Sequence, residues 1–224
     1  MLILDKVWVD LAGVNVLRAV SAELRAGTTV AVVGRNGAGK TTLLRTIMGL
    51  VKARGGRVLL DTEDLLQIPA HRRAGLGIGY APEERIIFPT LSVEENLRMP
   101  CEVQSLAEAE IAKRLAAVID VVPQLKEMLK RSGAALSGGQ GKMVALGRAL
   151  MIGTRLVLLD EPLQGLAPVL ALQYADAVGR LRRIRPDMGI VITESNASLL
   201  MNIPDQTWVL ERGSLSVQRN ALNH

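Results

Sequence analysis

The sequence predicts an α/β fold on a mainly parallel sheet, with a helical subdomain inserted in mid-chain. Three observations carry this prediction. The apolar, β-branched run Thr28–Val33 leads directly into the glycine loop Gly34-Arg35-Asn36-Gly37-Ala38-Gly39-Lys40-Thr41, and Lys40 to Met48 follows with helical composition. Two further buried-strand patterns, Arg155 to Asp160 and Gly189 to Thr193, flank a helical stretch from Pro168 to Arg185. Between these halves, the pattern becomes helical from about Ser92 to Met151. Alternating strands and helices imply a parallel sheet covered on both faces.

The remaining elements follow in order. Leu2 to Val9 and Val14 to Leu24 read as extended chain, and Val58 to Leu60 and Gly77 to Tyr80 as short strands. In the helical portion Ile111, Leu115, Val118, Ile119 and Val122 share one face, with Lys113, Arg114 and Asp120 off it. Thr207 to Leu210 and Leu215 to Val217, around Glu211-Arg-Gly-Ser214, form a terminal hairpin. The expected organisation is one domain over 1–224, with 1–91 and 152–224 as the core and 92–151 as the helical subdomain.

Composition narrows the function. Hydrophobic residues make up 49% of the 224 but aromatics only 2%, so the core must rest on Leu, Val, Ile, Ala and Met. No apolar run approaches the ~18–20 residues that span a bilayer, and the N-terminus lacks a secretory pattern, so a cytoplasmic protein is expected. The single cysteine, Cys101, excludes an internal disulfide and reads as a small buried hydrophobe. The charge of +5 is scattered. Its densest cluster, Arg180 to Arg185, reads as solvated helix surface without aromatics for base stacking, so no nucleic-acid partner is expected. His71 and His224 lie outside any motif and read as surface residues.

The chemistry lies in three short stretches. The glycine loop fits G-x-x-x-x-G-K-[ST]: amide N–H groups from Gly37 to Thr42 line an anion hole, Lys40 bridges the β- and γ-phosphates, and the Thr41 hydroxyl reaches Mg²⁺. A merely structural glycine turn is the alternative, and a strand before and a helix after it count against that. Asp160 and Glu161 close a buried strand, where open α/β sheets bind ligands. Asp160 suits Mg²⁺ and Glu161 suits the water attacking the γ-phosphate; otherwise they would cap a helix. Leu136-Ser137-Gly138-Gly139-Gln140 starts a helix with small residues and is itself an anion site.

In this order and spacing the glycine loop, Leu136–Gln140 and Leu158-Leu-Asp-Glu-Pro162 resemble the nucleotide-binding subunits of ATP-binding cassette (ABC) transporters, over essentially the whole chain. The resemblance implies the ABC ATPase fold: a P-loop NTPase core, an N-terminal antiparallel β portion and the inserted helical subdomain. It implies ATP and Mg²⁺ as cofactors. It also implies two cassettes facing head to tail, so that Ser137, Gly138, Gly139 and Gln140 serve the partner's nucleotide while Gly34 to Thr42 bind this chain's own. The other implied partners are two membrane-embedded permease subunits and, indirectly, an extracytoplasmic substrate-binding protein. Residence is then peripheral, on the cytoplasmic face of the inner membrane.

Finer features are similar to the branch serving branched-chain amino acid, urea and amide importers: Tyr80-Ala-Pro-Glu-Glu-Arg-Ile-Ile-Phe-Pro89, Leu91-Ser-Val-Glu-Glu-Asn-Leu97 and Gly165-Leu-Ala-Pro168. In this branch Glu83 stands where other members carry the Gln that links metal, nucleotide and transport domains, Ala167 replaces an acidic residue, and the companion cassette is usually a different chain. Two departures matter. Leu11 occupies the place of the aromatic that stacks on adenine and offers no π-face. Ser195 occupies the place of the switch His; losing a hydrogen bond to a charged group costs about 1.5–3 kcal/mol, about one or two orders of magnitude in rate. The reading is an ATPase subunit of an importer for branched-chain or other hydrophobic amino acids. The alternatives are a weakly hydrolysing subunit beside a more active partner, an importer of urea or short amides, or a cassette ATPase without transport. A small-molecule kinase would give Ser137-Gly138-Gly139 no use.

Overall fold

The N-terminal strands β1 (Leu2–Leu11) and β2 (Val14–Leu24) pair antiparallel. Burying Leu2, Leu4, Val7 and Val9 along β1 requires the alternation to slip once, and it does so at Lys6, whose φ is 49° at a break in register. That bulge turns Lys6 outward and brings Val7 in. The computed structural model describes residues 1–84, 86–200 and 203–219.

The chain continues through β3 (Thr29–Val33), α1 (Lys40–Ile47), β4 (Gly55–Leu60), β5 (Glu63–Asp64), α2 (Ala70–Arg73) and β6 (Ile78–Ala81). Three longer helices follow: α3 (Val93–Val103), α4 (Glu108–Val121) and α5 (Gly138–Ile152). The core resumes with β7 (Leu156–Asp160), α6 (Pro168–Ile184), β8 (Gly189–Glu194), β9 (Gln206–Glu211) and β10 (Ser214–Arg219). β2-β1-β4-β5 form an antiparallel sheet, and β10-β9-β3-β8-β7-β6 a second sheet that is parallel except at its β10 edge.

Period-two alternation assigns each central strand to two cores. Val30, Val32, Leu156, Leu158 and Val191 face the antiparallel sheet and Leu43, Leu44 and Ile47 of α1. Ala31, Val157, Leu159, Ile190 and Ile192 face the helices, where Leu97, Val118, Leu146, Leu150 and Val178 meet them. Every strand expected from sequence is present, within a few residues of its expected bounds. β5 and α2 carry no apolar pattern long enough to announce them.

Some expectations need correction. Arg114 is not off the packed face: its guanidinium donates to Glu110 and to the Met151 carbonyl. The Arg180–Arg185 cluster is not simply solvated helix surface. Arg180 donates to the Val121 carbonyl, Arg182 to the Ile203 carbonyl and Asp205, and Arg185 to the Gly153 carbonyl, so three arginines tie α6 to its neighbours. Long arginine stems reach backbone oxygens that composition cannot reveal. Cys101 is fully buried, its thiol donating to the Met151 carbonyl. His71 is exposed on α2; His224, and Arg85 within the Tyr80–Pro89 stretch, lie outside the described residues. No described helix is long and apolar enough to cross a membrane.

Candidate functional site

The glycine loop is shaped by what its backbone must do. At Gly34 a Cβ would sit 2.3 Å from the Leu210 carbonyl oxygen, so only glycine lets β3 pass that close to β9. Gly37 (φ 80°) and Gly39 (φ 107°) are left-handed, and Gly39 is the N-cap of α1. Lys40 therefore begins the helix with its side chain folded back over the loop. Its Nζ donates to the carbonyls of Gly34 (2.8 Å) and Arg35 (3.3 Å) and to Ser195 Oγ (3.0 Å), and it pairs with Glu161 Oε1 at 2.9 Å.

Glu161 leaves β7 with φ 45°, a left-handed conformation that costs a non-glycine residue about 1–3 kcal/mol. Its backbone N–H donates to Thr193 Oγ1 at 2.9 Å. Its Oε2 is buried without a hydrogen-bond partner. Neither Asp160 nor Glu161 caps a helix, since Ala167 is the N-cap of α6. Asp160 Oδ1 accepts from Thr193 (2.7 Å) and Thr41 (3.1 Å), and Oδ2 from the Tyr80 hydroxyl (3.1 Å). Burial raises the Asp160 pKa, opposed by the three hydroxyls and reinforced by Glu161.

Ser195 Oγ lies 2.7 Å from Glu161 Oε1 and 2.6 Å from Asn36 Oδ1. One hydroxyl proton cannot serve both acceptors. Turning the Asn36 amide over makes it a donor to Ser195 and satisfies all three groups.

A cavity of about 270 Å³ is lined by Leu11, Val16, Asn36, Gly37, Gly39, Lys40, Thr41, Thr42, Glu83, Glu161 and Gln164. It gathers Leu11, Glu83, Glu161 and much of the glycine loop; Arg35 and Ala38 lie on the loop's other side, and Asp160 and Ser195 stand behind Thr41 and Lys40. Ser137, Gly138, Gly139 and Gln140 are not among its walls. They open α5 in a capping box, with Ser137 Oγ accepting from the Gln140 N–H (3.3 Å) and Gln140 Oε1 from the Ser137 N–H (3.0 Å). Thr41, Asp160 and Glu161 offer the hard oxygen donors that suit Mg²⁺, and Glu161 Oε2 is a buried acceptor left open. Among the described residues no three His, Cys, Asp or Glu side chains form a ready metal cage. The metal that fits here is one that arrives with phosphate ligands of its own.

Sequence reasoning missed Tyr80, Thr193, Glu194 and Lys142. Tyr80 and Thr193 stand at the C-terminal ends of β6 and β8, beside the end of β7. That shared edge was the available signal. Glu194 is buried, accepts from the Leu163 N–H at 2.8 Å, and has its pKa pushed up to about 7 by burial, the Leu163 N–H opposing the rise and Glu161 adding to it. A carboxyl raised in the folded state contributes stability that is complete below its unfolded pKa and lost as pH rises through about 7. Glu194→Gln keeps the acceptor and removes the ionisation. The variant is expected to melt with wild type near pH 3.5, below the unfolded pKa, and several degrees above it at pH 8, read by thermal unfolding across pH. Equal melting curves at both pH values would refute the assignment.

Comparison with known proteins follows the same lines. The family described as ABC transporter matches residues 17–164. The chain is 35% identical over 215 residues to the high-affinity branched-chain amino acid transport ATP-binding protein BraG of Pseudomonas aeruginosa, covering 96% of this chain and 91% of that protein. It is 31% identical to the lipopolysaccharide export system ATP-binding protein LptB of Escherichia coli (strain K12), covering 91% and 83%. A crystal structure of an ATP-binding cassette of an ABC transporter in its ADP conformation superposes with a TM-score of 0.83 at 25% identity, covering 98% of this chain and 91% of that one.

Proposed function

Because this chain belongs to the ABC transporter family, as an ATP-binding subunit with ATPase activity coupled to transport, we propose that it powers the import of branched-chain or other hydrophobic amino acids. The single observation supporting a hydrolytic role at this site is the placement of Glu161. Its carboxylate is paired with Lys40 through one oxygen and left open at the other, at the edge of the nucleotide cavity. In this reading Lys40 exchanges Glu161 and Ser195 for phosphate oxygens when ATP enters. Glu161, once released, takes a proton from the attacking water. Thr41, Asp160 and Glu83 would hold Mg²⁺, and the metal would supply charge neutralisation for the transferred phosphoryl group. Ser195 positions Glu161 and Lys40 rather than carrying charge.

Ser137 to Gln140 lie outside this chain's own cavity, which supports their serving a second cassette's nucleotide. That companion is taken as a different chain, with two permease subunits and a binding protein completing the importer at the cytoplasmic face of the membrane. BraG supports the amino acid assignment, together with the Pro82-Glu83 loop and Gly165-Leu-Ala-Pro168. Co-expression with candidate permeases tests it: labelled leucine, isoleucine and valine should accumulate with wild type and not with Glu161→Gln. Urea or short-amide uptake, or none of these, would replace it.

A second reading, a weakly hydrolysing subunit beside a more active cassette, is favoured by Leu11 and Ser195. Leu11 is exposed at the cavity rim and offers adenine apolar contact alone. Turnover that survives Lys40→Ala here and stops with the companion's equivalent lysine change would select it.

A further inference from the structure

The segment from Glu161 to Leu166 carries the strained residue, a glycine at φ 70° (Gly165) and no regular structure of its own. Something must hold it, because a left-handed glutamate persists only where its surroundings over-determine it. Thr193 fixes its first N–H and Glu194 the N–H of Leu163. The carbonyls are held from α5. Lys142 Nζ donates to the Glu161 carbonyl at 2.8 Å and to the Gln164 carbonyl at 2.7 Å. One ammonium therefore bridges both ends of the turn, and one of its bonds falls on the strained residue itself.

Lys142 belongs to α5, one turn beyond Gly138, so the two share a helix face. The first turn of α5 also touches the far end of the same segment. A Cβ on Gly139 would sit 2.3 Å from Leu170 Cδ1 and 3.4 Å from Leu166 Cδ2, so the helix start packs directly on the entry to α6. The helix that begins at Ser137 is thus fastened to the loop of Glu161 at two points, one polar and one apolar. A shift of α5 along or about its axis pulls on the Lys142 bond to the Glu161 carbonyl and on the Gly139 contact with Leu170.

We infer that Lys142 is a positioning residue that couples the Ser137-Gly138-Gly139 end of α5 to the conformation of Glu161, so that contact at one nucleotide site sets the geometry of the other. This rests on the assignment of Ser137 to Gly139 to a partner's nucleotide and of Glu161 to this chain's own. Lys142 touches no reacting atom in that scheme. It acts through the peptide group of Glu161.

The test uses the full chain together with its companion cassette, and Mg-ATP. Lys142→Met preserves the length of the stem and removes the two donated bonds; Lys142→Arg restores a cationic donor. Lys142→Met is expected to lower kcat at least tenfold, with KM for ATP within about threefold, and Lys142→Arg to recover most of the loss. Amide hydrogen exchange over residues 161–166 should quicken in Lys142→Met while exchange in α1 stays at the wild-type rate. Wild-type kcat and exchange in Lys142→Met would overturn the inference. So would exchange rising alike in α1 and the 161–166 segment, the mark of general loosening. The exchange measurement needs no turnover, so it decides on Lys142 even if Glu161→Gln leaves hydrolysis untouched, an outcome that would sink the role of Glu161 instead.

Discussion

Glu161→Gln is expected to lower the rate of ATP hydrolysis by about 10²–10⁴-fold, the range a positioned general base contributes, while ATP affinity changes by no more than about threefold. The amide has nearly the same shape and still accepts from Lys40 and Ser195 through one oxygen. It lacks the basicity needed to take a proton. The geometry makes the change clean, because the rest of the segment is held through backbone groups: Thr193 to the residue 161 N–H, and Lys142 to its carbonyl. Single-turnover phosphate release separates chemistry from binding, and equilibrium binding of a fluorescent ATP analogue reports the affinity. A variant that hydrolyses at the wild-type rate would remove Glu161 from the mechanism.

Lys40→Ala should have the larger effect on binding. Among the described residues its ammonium is the one buried cation that reaches into the loop, and two charge-assisted contacts to phosphate are worth about 1.5–3 kcal/mol each. ATP affinity should fall about 10²-fold or more. A second consequence follows from the resting contacts. Lys40 and Glu161 side chains are 4% and 7% exposed, so solvent screens their pairing little. Removing one partner from such a pair costs about 3–5 kcal/mol, and at this chain length each kcal/mol lowers Tm by about 2–4 °C. Lys40→Ala is therefore expected to melt well below wild type. The double variant Lys40→Ala/Glu161→Gln should recover much of that stability and none of the binding. If the double variant melts no higher than the single one, the buried pair is not what Lys40 stabilises.

Much of this was legible in the sequence because the chemistry needs particular residues at fixed local spacing. Gly34, Gly37 and Gly39 are forced by a close approach and two left-handed positions, and Lys40 and Thr41 follow them along the chain. The alternation in Val30–Val32 and Leu156–Leu159 gave the sheet its two buried faces. What stayed hidden depends on contacts between distant segments. Nothing near Lys142 in sequence indicates that it will find the carbonyls of residues 161 and 164. Tyr80 and Thr193 meet Asp160 only because β6, β7 and β8 end side by side. The arginines of α6 looked like solvated charge because their acceptors are backbone oxygens from other elements.

The central claim is that this chain's phosphate loop and Glu161 form one half of an ATP site whose other half is supplied by a second cassette. A structure of the Glu161→Gln protein with Mg-ATP and its companion cassette tests this most directly. The account predicts the triphosphate against the N–H groups of Gly37 to Thr42, with Lys40 moved from residue 161 onto the phosphates. Mg²⁺ should lie beside Thr41 and Asp160, and this chain's Ser137 to Gly139 against the nucleotide of the other subunit. A triphosphate enclosed by this chain alone, with Ser137 to Gly139 facing solvent, would contradict it.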